Sequence, residues 1–486
     1  MILIRKRFDS AAKVFWIAVL VSFLTAYVSP VGALMTPSEE AKMGTEVLAQ
    51  IKKSLPLVND PRVVEYVNKV GRDILLQVGY RDFPFEFFVV DDGSLNAFAI
   101  PGGYVFINRG LIQIMDGESE LAAVLSHEVG HVQARHIARR IEETTPLNIA
   151  TMAATLLAIL AGGGKAGGAI AVGAAAASMS YQLQYSRQNE EEADRLGMKY
   201  LADSGYDING SVSVFKKMVQ SRFMNMEGIP TYLSTHPGLN DRIVYMENTL
   251  STDKYAIDTQ KERATQAAFL SCKVRLIALY EDPKLGVNLL DELARKEGGA
   301  LPHYGMGLLL ERSRKVQEAM VEYEKAIRLD PSDSEYVTQM GMVCYATGNC
   351  ARASEYLDRA VSLDPRQSEA LLYLGRIALD ESRFRDAQAL LEKVLNLNPD
   401  QNEAYQYLGL AYGRDGKLAL AHENYAIYFE RTGDTRNALY HYDKALEYSG
   451  ETPGRAQEIR QRIEKLKNKG KEDSKKPEQE GWWHGR

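Results

Sequence analysis

Between residues 35 and 78 apolar residues recur at helical spacing, with Val63, Val64, Tyr66, Val67 and Val70 on one stripe, which predicts amphipathic helices. The period then shortens. Phe85 to Val90 reads as a β-type run and Asp91-Asp92-Gly93 as a turn. Asn96-Ala97-Phe98-Ala99-Ile100 then leads through Pro101-Gly102-Gly103 into Tyr104 to Ile107, so a small sheet is expected. An exposed edge of such a sheet can take up an extended peptide as one more strand; a plain structural hairpin is the alternative. From Glu118 to Arg140 the helical period returns. Leu121, Ala122, Val124 and Leu125 make its first turns apolar, as in a helix buried on one side with polar residues facing a cleft. A further helix is expected around Arg187 to Asp194. Between the two lie apolar runs at Leu147 to Leu160 and Ala166 to Met179, joined by Ala161-Gly162-Gly163-Gly164-Lys165. Each falls short of the roughly 20 residues that span a bilayer. The expectation is a helical hairpin packed near the cleft or touching a membrane surface, with core packing as the alternative.

Beyond residue 300 the pattern becomes a repeat. Pro331, Pro365 and Pro399 are spaced by 34, as are Gly307, Gly341, Gly375 and Gly409, and Ala319, Ala353, Ala387 and Ala421. A 34-residue period with small residues at fixed positions is the signature of tetratricopeptide helix pairs, whose stacking forms a solenoid with a concave binding face. Ala267 to Lys296 and Arg436 to Tyr448 read as flanking, capping helices. The expected division is 34–258 for a first domain, 259–299 for connecting helices and 300–448 for the repeats. Residues 449–486 form a charged tail, expected to be disordered and carrying Trp482 and Trp483.

Length and charge narrow this picture. The 486 residues suggest about three domains with ample core. A net charge of -6 with intermixed signs gives no footprint for nucleic acid. Arg5, Lys6, Arg7 and Lys13 flank an apolar run from Val14 to Val28, followed by Val31-Gly32-Ala33, so residues 1–33 read as a signal peptide for export. An uncleaved anchor in the inner membrane is the alternative. Cys272, Cys344 and Cys350 make no disulfide framework.

The candidate chemistry sits in Ser126-His127-Glu128-Val129-Gly130-His131. Residues four apart on a helix share a face, so His127 and His131 can both turn a ring nitrogen to one zinc ion, with Glu128 beside them as general base. Zinc lowers the pKa of a bound water to about 7, and a neighbouring carboxylate can take its proton as it attacks a peptide carbonyl. Peptide hydrolysis is the reaction implied; two ordinary helix histidines are the alternative. A catalytic zinc needs a third protein ligand. Glu190 fits, because Asp194 lies four residues further on, where it can accept the other ring N–H of a ligand histidine. Glu191 and Glu192 read as a solvated acidic face. Downstream, His236 lies in Ser234-Thr235-His236-Pro237-Gly238. It can fill the open zinc position at rest, donate to the tetrahedral oxyanion, or be a structural loop residue. Arg242 is a second positive group for that oxyanion, and Tyr185 an alternative donor. His136, five residues after His131, is expected to have turned away from the metal-facing stripe.

Three motifs in this order resemble the gluzincin metallopeptidases related to HtpX and to the CAAX prenyl-protein endopeptidases. They are Asn96-Ala97-Phe98-Ala99 with Pro101-Gly102-Gly103, then His127 to His131, then Glu190 with Glu192-Ala193-Asp194. The resemblance implies an α+β zincin-type domain, mostly helical with a small β-sheet, followed here by an all-α tetratricopeptide solenoid. It further implies one zinc ion per chain on His127, His131 and Glu190, Glu128 as catalytic base and Asp194 as support. An exported zincin joined to tetratricopeptide repeats resembles periplasmic quality-control peptidases, which implies misassembled outer-membrane proteins as substrates. The repeats would then dock substrate or the outer-membrane β-barrel assembly machinery. The competing expectation is a tetratricopeptide chaperone or scaffold whose zinc site is dormant.

Overall fold

The computed structural model describes residues 35–143, 185–224, 231–252, 259–449 and 453–473. The apolar hairpin expected at 147–179, the N-terminal signal and Trp482-Trp483 lie outside the described residues. Among those described, no helix is long and apolar enough to cross a membrane. The chain divides into two compact units, up to Asp282 and from Pro283 onward.

The first unit begins with two helices, because Pro56 and the Asp60-Pro61 pair interrupt the apolar stripe. Helix α1 (Pro37–Ser54) starts at a capping box in which Thr36 and Glu39 satisfy each other's backbone N–H groups. Helix α2 (Pro61–Leu75) starts at Asp60, whose carboxylate accepts the Val63 N–H at 3.0 Å, with proline in the first turn. Strands β1 (Glu86–Val90), β2 (Ala97–Ile100) and β3 (Tyr104–Asn108) follow in the sheet order β1-β3-β2. β1 runs parallel to β3, and β2 pairs antiparallel to it. Period-two alternation divides the sheet's side chains between two cores. Phe98, Ile100, Tyr104 and Phe106 pack with Val47, Leu48 and Ile51 of α1. Phe87, Val89, Ala97, Ala99, Val105 and Ile107 join the larger core on the opposite face.

That larger core is built around the helix that carries the zinc motif. After α3 (Arg109–Ile114) comes α4 (Glu118–Gln133), in which every residue from Glu118 to Val132 is buried. The helix is therefore enclosed on all sides, not on one as its apolar first turns suggested. The expected helical run to Arg140 is also broken: Arg135 adopts φ +52, and α5 (His136–Glu143) starts in a new direction. Helices α6 (Arg187–Asp203), α7 (Asn209–Met224), α8 (Thr231–Thr235), α9 (Leu239–Thr252) and α10 (Thr259–Tyr280) complete the unit. Phe269, Cys272 and Leu276 place α10 in the core of this first unit, although residues 259–299 were expected as one connecting segment. Only α11 (Pro283–Glu297) goes with the second unit.

The second unit contains the expected helix pairs: α12 (Leu301–Arg312) with α13 (Val316–Leu329), α14 (Ser334–Ala346) with α15 (Cys350–Leu363), α16 (Ser368–Asp380) with α17 (Phe384–Leu397), and α18 (Asn402–Arg414) with α19 (Leu418–Arg431). The repeated glycines are contact points. A Cβ on Gly307, Gly341, Gly375 or Gly409 would lie 2.3 to 3.1 Å from Tyr323, Leu357, Leu391 or Tyr425, each sixteen residues later on the second helix of its pair. α20 (Thr435–Tyr448) continues the stack, and α21 (Pro453–Asp473) corrects the expectation of disorder from residue 449. Ala456, Ile459, Ile463 and Leu466 are buried along one face of α21, and the last three share a core with Tyr442 and Ala445 of α20. This apolar stripe is thin and set among charges, so composition hid it. All three cysteines are free.

Candidate metal centre

Helices α4 and α6 cross closely enough to require glycine on both. A Cβ on Gly130 would sit 2.9 Å from the Ala193 carbonyl oxygen, and one on Gly197 would sit 3.0 Å from the His127 backbone. The atoms in the way are backbone, so a Cβ at either position would push the two helices apart. The crossing sets the carboxylates of α6 against the imidazoles of α4. His127, His131, Glu190 and His236 are all buried, and each brings one donor atom to a cluster in which those atoms lie within 4.8 Å of one another.

The donor spacings test whether a metal fits. His131 Nε2 lies 3.0 Å from His127 Nε2 and 3.5 Å from Glu190 Oε1, and His127 Nε2 is 3.6 Å from Glu190 Oε2. Ligands of a tetrahedral zinc, at about 2.0–2.1 Å from the ion, stand roughly 3.3 Å from one another. Two imidazoles and a carboxylate at these separations match zinc in both chemistry and size.

His236 reaches the cluster from α8. That helix is tied to the segment before β2, since the Tyr232 N–H donates to the Leu95 carbonyl at 3.2 Å. The Tyr232 ring stacks on His236 with centroids 4.2 Å apart. His236 Nδ1 lies 2.9 Å from Glu190 Oε1 and 3.5 Å from His127 Nε2. Tyr185 closes another side, its ring stacked 3.9 Å from that of His131 and its N–H donating to the Thr235 carbonyl at 3.3 Å.

Behind the donors, His127 Nδ1 is 2.9 Å from Asp194 Oδ1, the support expected from the spacing of Glu190 and Asp194. Arg242 of α9 lies against the same carboxylates. Its guanidinium donates to both Asp194 oxygens, at 2.7 and 2.6 Å, and pairs with Glu190 through its remaining nitrogen. It thus pairs with two carboxylates of α6 at once. Burial alone would raise both carboxyls, but His236 and Arg242 beside Glu190, and Arg242 and His127 beside Asp194, hold them below their usual ranges. Glu128 is fully buried and neither carboxylate oxygen has a hydrogen-bond partner among the described residues. Burial raises its carboxyl above the usual range, against the pull of His236 and His127.

His136 also belongs to the site, contrary to expectation. The turn at Arg135 carries it back under α4, where it is fully buried with Nδ1 2.9 Å from His131 Nδ1 and Nε2 3.1 Å from Glu192 Oε2. Sequence gave no sign of this turn, because Gln133-Ala134-Arg135 contains neither glycine nor proline.

Residues 61–250 match Peptidase family M48, and residues 302–333 and 345–410 match tetratricopeptide repeats. Residues 61–250 are thus an M48 peptidase domain, followed by tetratricopeptide repeats. The family comprises metallopeptidases, and the buried His/His/Glu/His cluster of this peptidase domain is consistent with the family's metal site. The β-barrel assembly-enhancing protease of Escherichia coli is 30% identical over 317 residues, which cover 63% of each chain. The Yersinia pestis protein of that name is 32% identical over 296 residues, 59% of each. The match thus spans less than two thirds of the length of these relatives. A mitochondrial metalloendopeptidase of Schizosaccharomyces pombe is 30% identical over 185 residues, 38% of this chain and 52% of that protein.

Proposed function

We propose that this protein is an exported zinc-dependent endopeptidase, with His127, His131 and Glu190 as ligands and Glu128 as general base. The observation that carries the reading is the buried donor cluster with the Glu128 carboxylate beside it, without a hydrogen bond among the described residues and 3.7 Å from His236 Nε2. Zinc bound there would supply Lewis-acid polarisation of a peptide carbonyl and acidify a water molecule. Glu128, with its carboxyl raised by burial, takes the proton of the attacking water and can return it to the leaving amine. Asp194 and Arg242 hold the ligand side chains in place. β2 lies at one edge of the sheet with all four residues buried, so an extended substrate adds there through main-chain hydrogen bonds only once that edge is uncovered. His236, standing among the donors, would hold the metal at rest and so restrain the enzyme. This role is supported by its Nδ1 lying among the donors and by the Tyr232 and Tyr185 contacts that hold its loop.

The substrates are unfolded or misassembled envelope proteins, outer-membrane barrels among them, and the repeats bind substrate or the β-barrel assembly machinery. Support comes from the names of the bacterial relatives and from the repeat array. The location is the periplasm, following the N-terminal export signal. The test uses mature protein, which should carry about one zinc per chain and degrade casein. Glu128→Gln should retain the metal and lose at least 100-fold in rate. Equal cleavage by that variant would sink the mechanism, and zinc binding without cleavage by either protein would favour the chaperone reading.

A further inference from the structure

The two histidines of α4 are supported in different ways. His127 Nδ1 meets a carboxylate directly, 2.9 Å from Asp194 Oδ1. His131 Nδ1 meets another imidazole, His136 Nδ1 at 2.9 Å, whose Nε2 lies 3.1 Å from Glu192 Oε2. His136 is fully buried, whereas the Glu192 side chain is 38% exposed and lies 3.9 Å from the Arg139 guanidinium.

The protons along this chain are fixed by what its inner end must do. His131 presents Nε2 to the donor cluster, so that nitrogen needs a free lone pair and the proton of a neutral ring sits on Nδ1. His131 Nδ1–H then donates to His136 Nδ1. His136, accepting at Nδ1, carries its proton on Nε2 and donates it to Glu192. Each nitrogen has one role, and the series ends on an anion at the protein surface. Hydrogen bonding to the far nitrogen of a metal-binding imidazole fixes its tautomer and raises its basicity.

We infer that His136 and Glu192 form a relay that positions and strengthens His131 as a metal ligand, with the Arg135 turn as the backbone device that brings His136 into it. The inference rests on the zinc-site reading above. It gives Glu192 a task distinct from that of its neighbour Glu191, although both follow Glu190 on α6.

The test is zinc affinity of the mature full-length protein, measured by chelator competition with Zn2+ alone. His136→Phe fills the space without accepting a hydrogen bond, and should weaken zinc binding by about 10 to 100-fold. His136→Gln keeps an acceptor and should recover a substantial part of that loss, which a purely space-filling role would not predict. Glu192→Gln, at a position 38% exposed, should weaken binding several-fold. Glu191→Gln should leave it unchanged. Because His136 and Glu192 act in series, His136→Phe with Glu192→Gln should be no weaker than His136→Phe alone. Wild-type affinity in both single variants, or additive losses in the double variant, would overturn the relay while leaving the zinc site standing. If the wild type itself fails to bind zinc, the relay and the proposed function fall together.

Discussion

Arg242 is buried against two carboxylates, Glu190 and Asp194, and its position decides what its loss would do. Removing one member of a buried ion cluster leaves the others uncompensated, which costs about 3–5 kcal/mol. Arg242→Met should therefore lower metal-free stability by about that amount in denaturant unfolding. A loss of activity at unchanged stability would instead return Arg242 to the role of oxyanion donor. His236 makes a prediction of opposite sign. If it restrains the site, His236→Ala should raise casein cleavage at saturating zinc, whereas a fall of about 100-fold would mark a lost oxyanion donor and overturn restraint. The candidate residues His127, Glu128, His131, Glu190, Asp194 and His236 could be located from sequence because metal chemistry constrains their spacing, and the structure gathers them in one place. Arg242 could be located but not its direction. A guanidinium can serve an oxyanion or a carboxylate equally well, and only the fold says which lies in front of it. His136 was hidden by a turn that no residue type announces.

At the scale of elements, the site depends on how near α6 approaches α4. Gly197→Ala places a Cβ where it meets the His127 backbone at 3.0 Å, so the helices must separate and Glu190 must withdraw from the histidines. Zinc content should fall sharply in Gly197→Ala, while Gly79→Ala, with open space around its Cβ, should bind metal normally. Full zinc occupancy in Gly197→Ala would mean that the crossing tolerates a methyl group. The strands and most helices were readable because their periods differ and their breaks coincide with Pro and Gly. Two features were not. The enclosure of α4 on every side comes from α6 and α7 closing over it, which its own pattern of Glu, Ser and Ala does not encode. The burial of α21 depends on a sparse stripe, Ala456, Ile459, Ile463 and Leu466, that works only because α20 presents apolar residues to it.

At the scale of the whole molecule, each unit contains its own hydrophobic cores. The donor atoms of the metal cluster, with their supports Asp194, Arg242, His136 and Glu192, all lie before Asp282. The boundary expected at residue 258 fell too early, since α10 looks like a linker by position yet buries Phe269, Cys272 and Leu276 in the first core. A metal that binds only the folded form of one unit stabilises that unit by RT ln(1 + [L]/Kd), or about 4 kcal/mol when free zinc is 1,000 times Kd. The repeats hold no such cluster among the described residues, and their stability comes from helix pairs stacked through Gly and Ala contacts. Calorimetry of the zinc-loaded protein should therefore resolve two transitions, and a chelator should lower only one. Truncation after Asp282 identifies that one: the shorter chain should retain the zinc-sensitive transition and lose the other. A single transition, or a chelator shift in both, would show that the repeats and the peptidase domain unfold as one body. Metal loss would then weaken partner binding as well as catalysis.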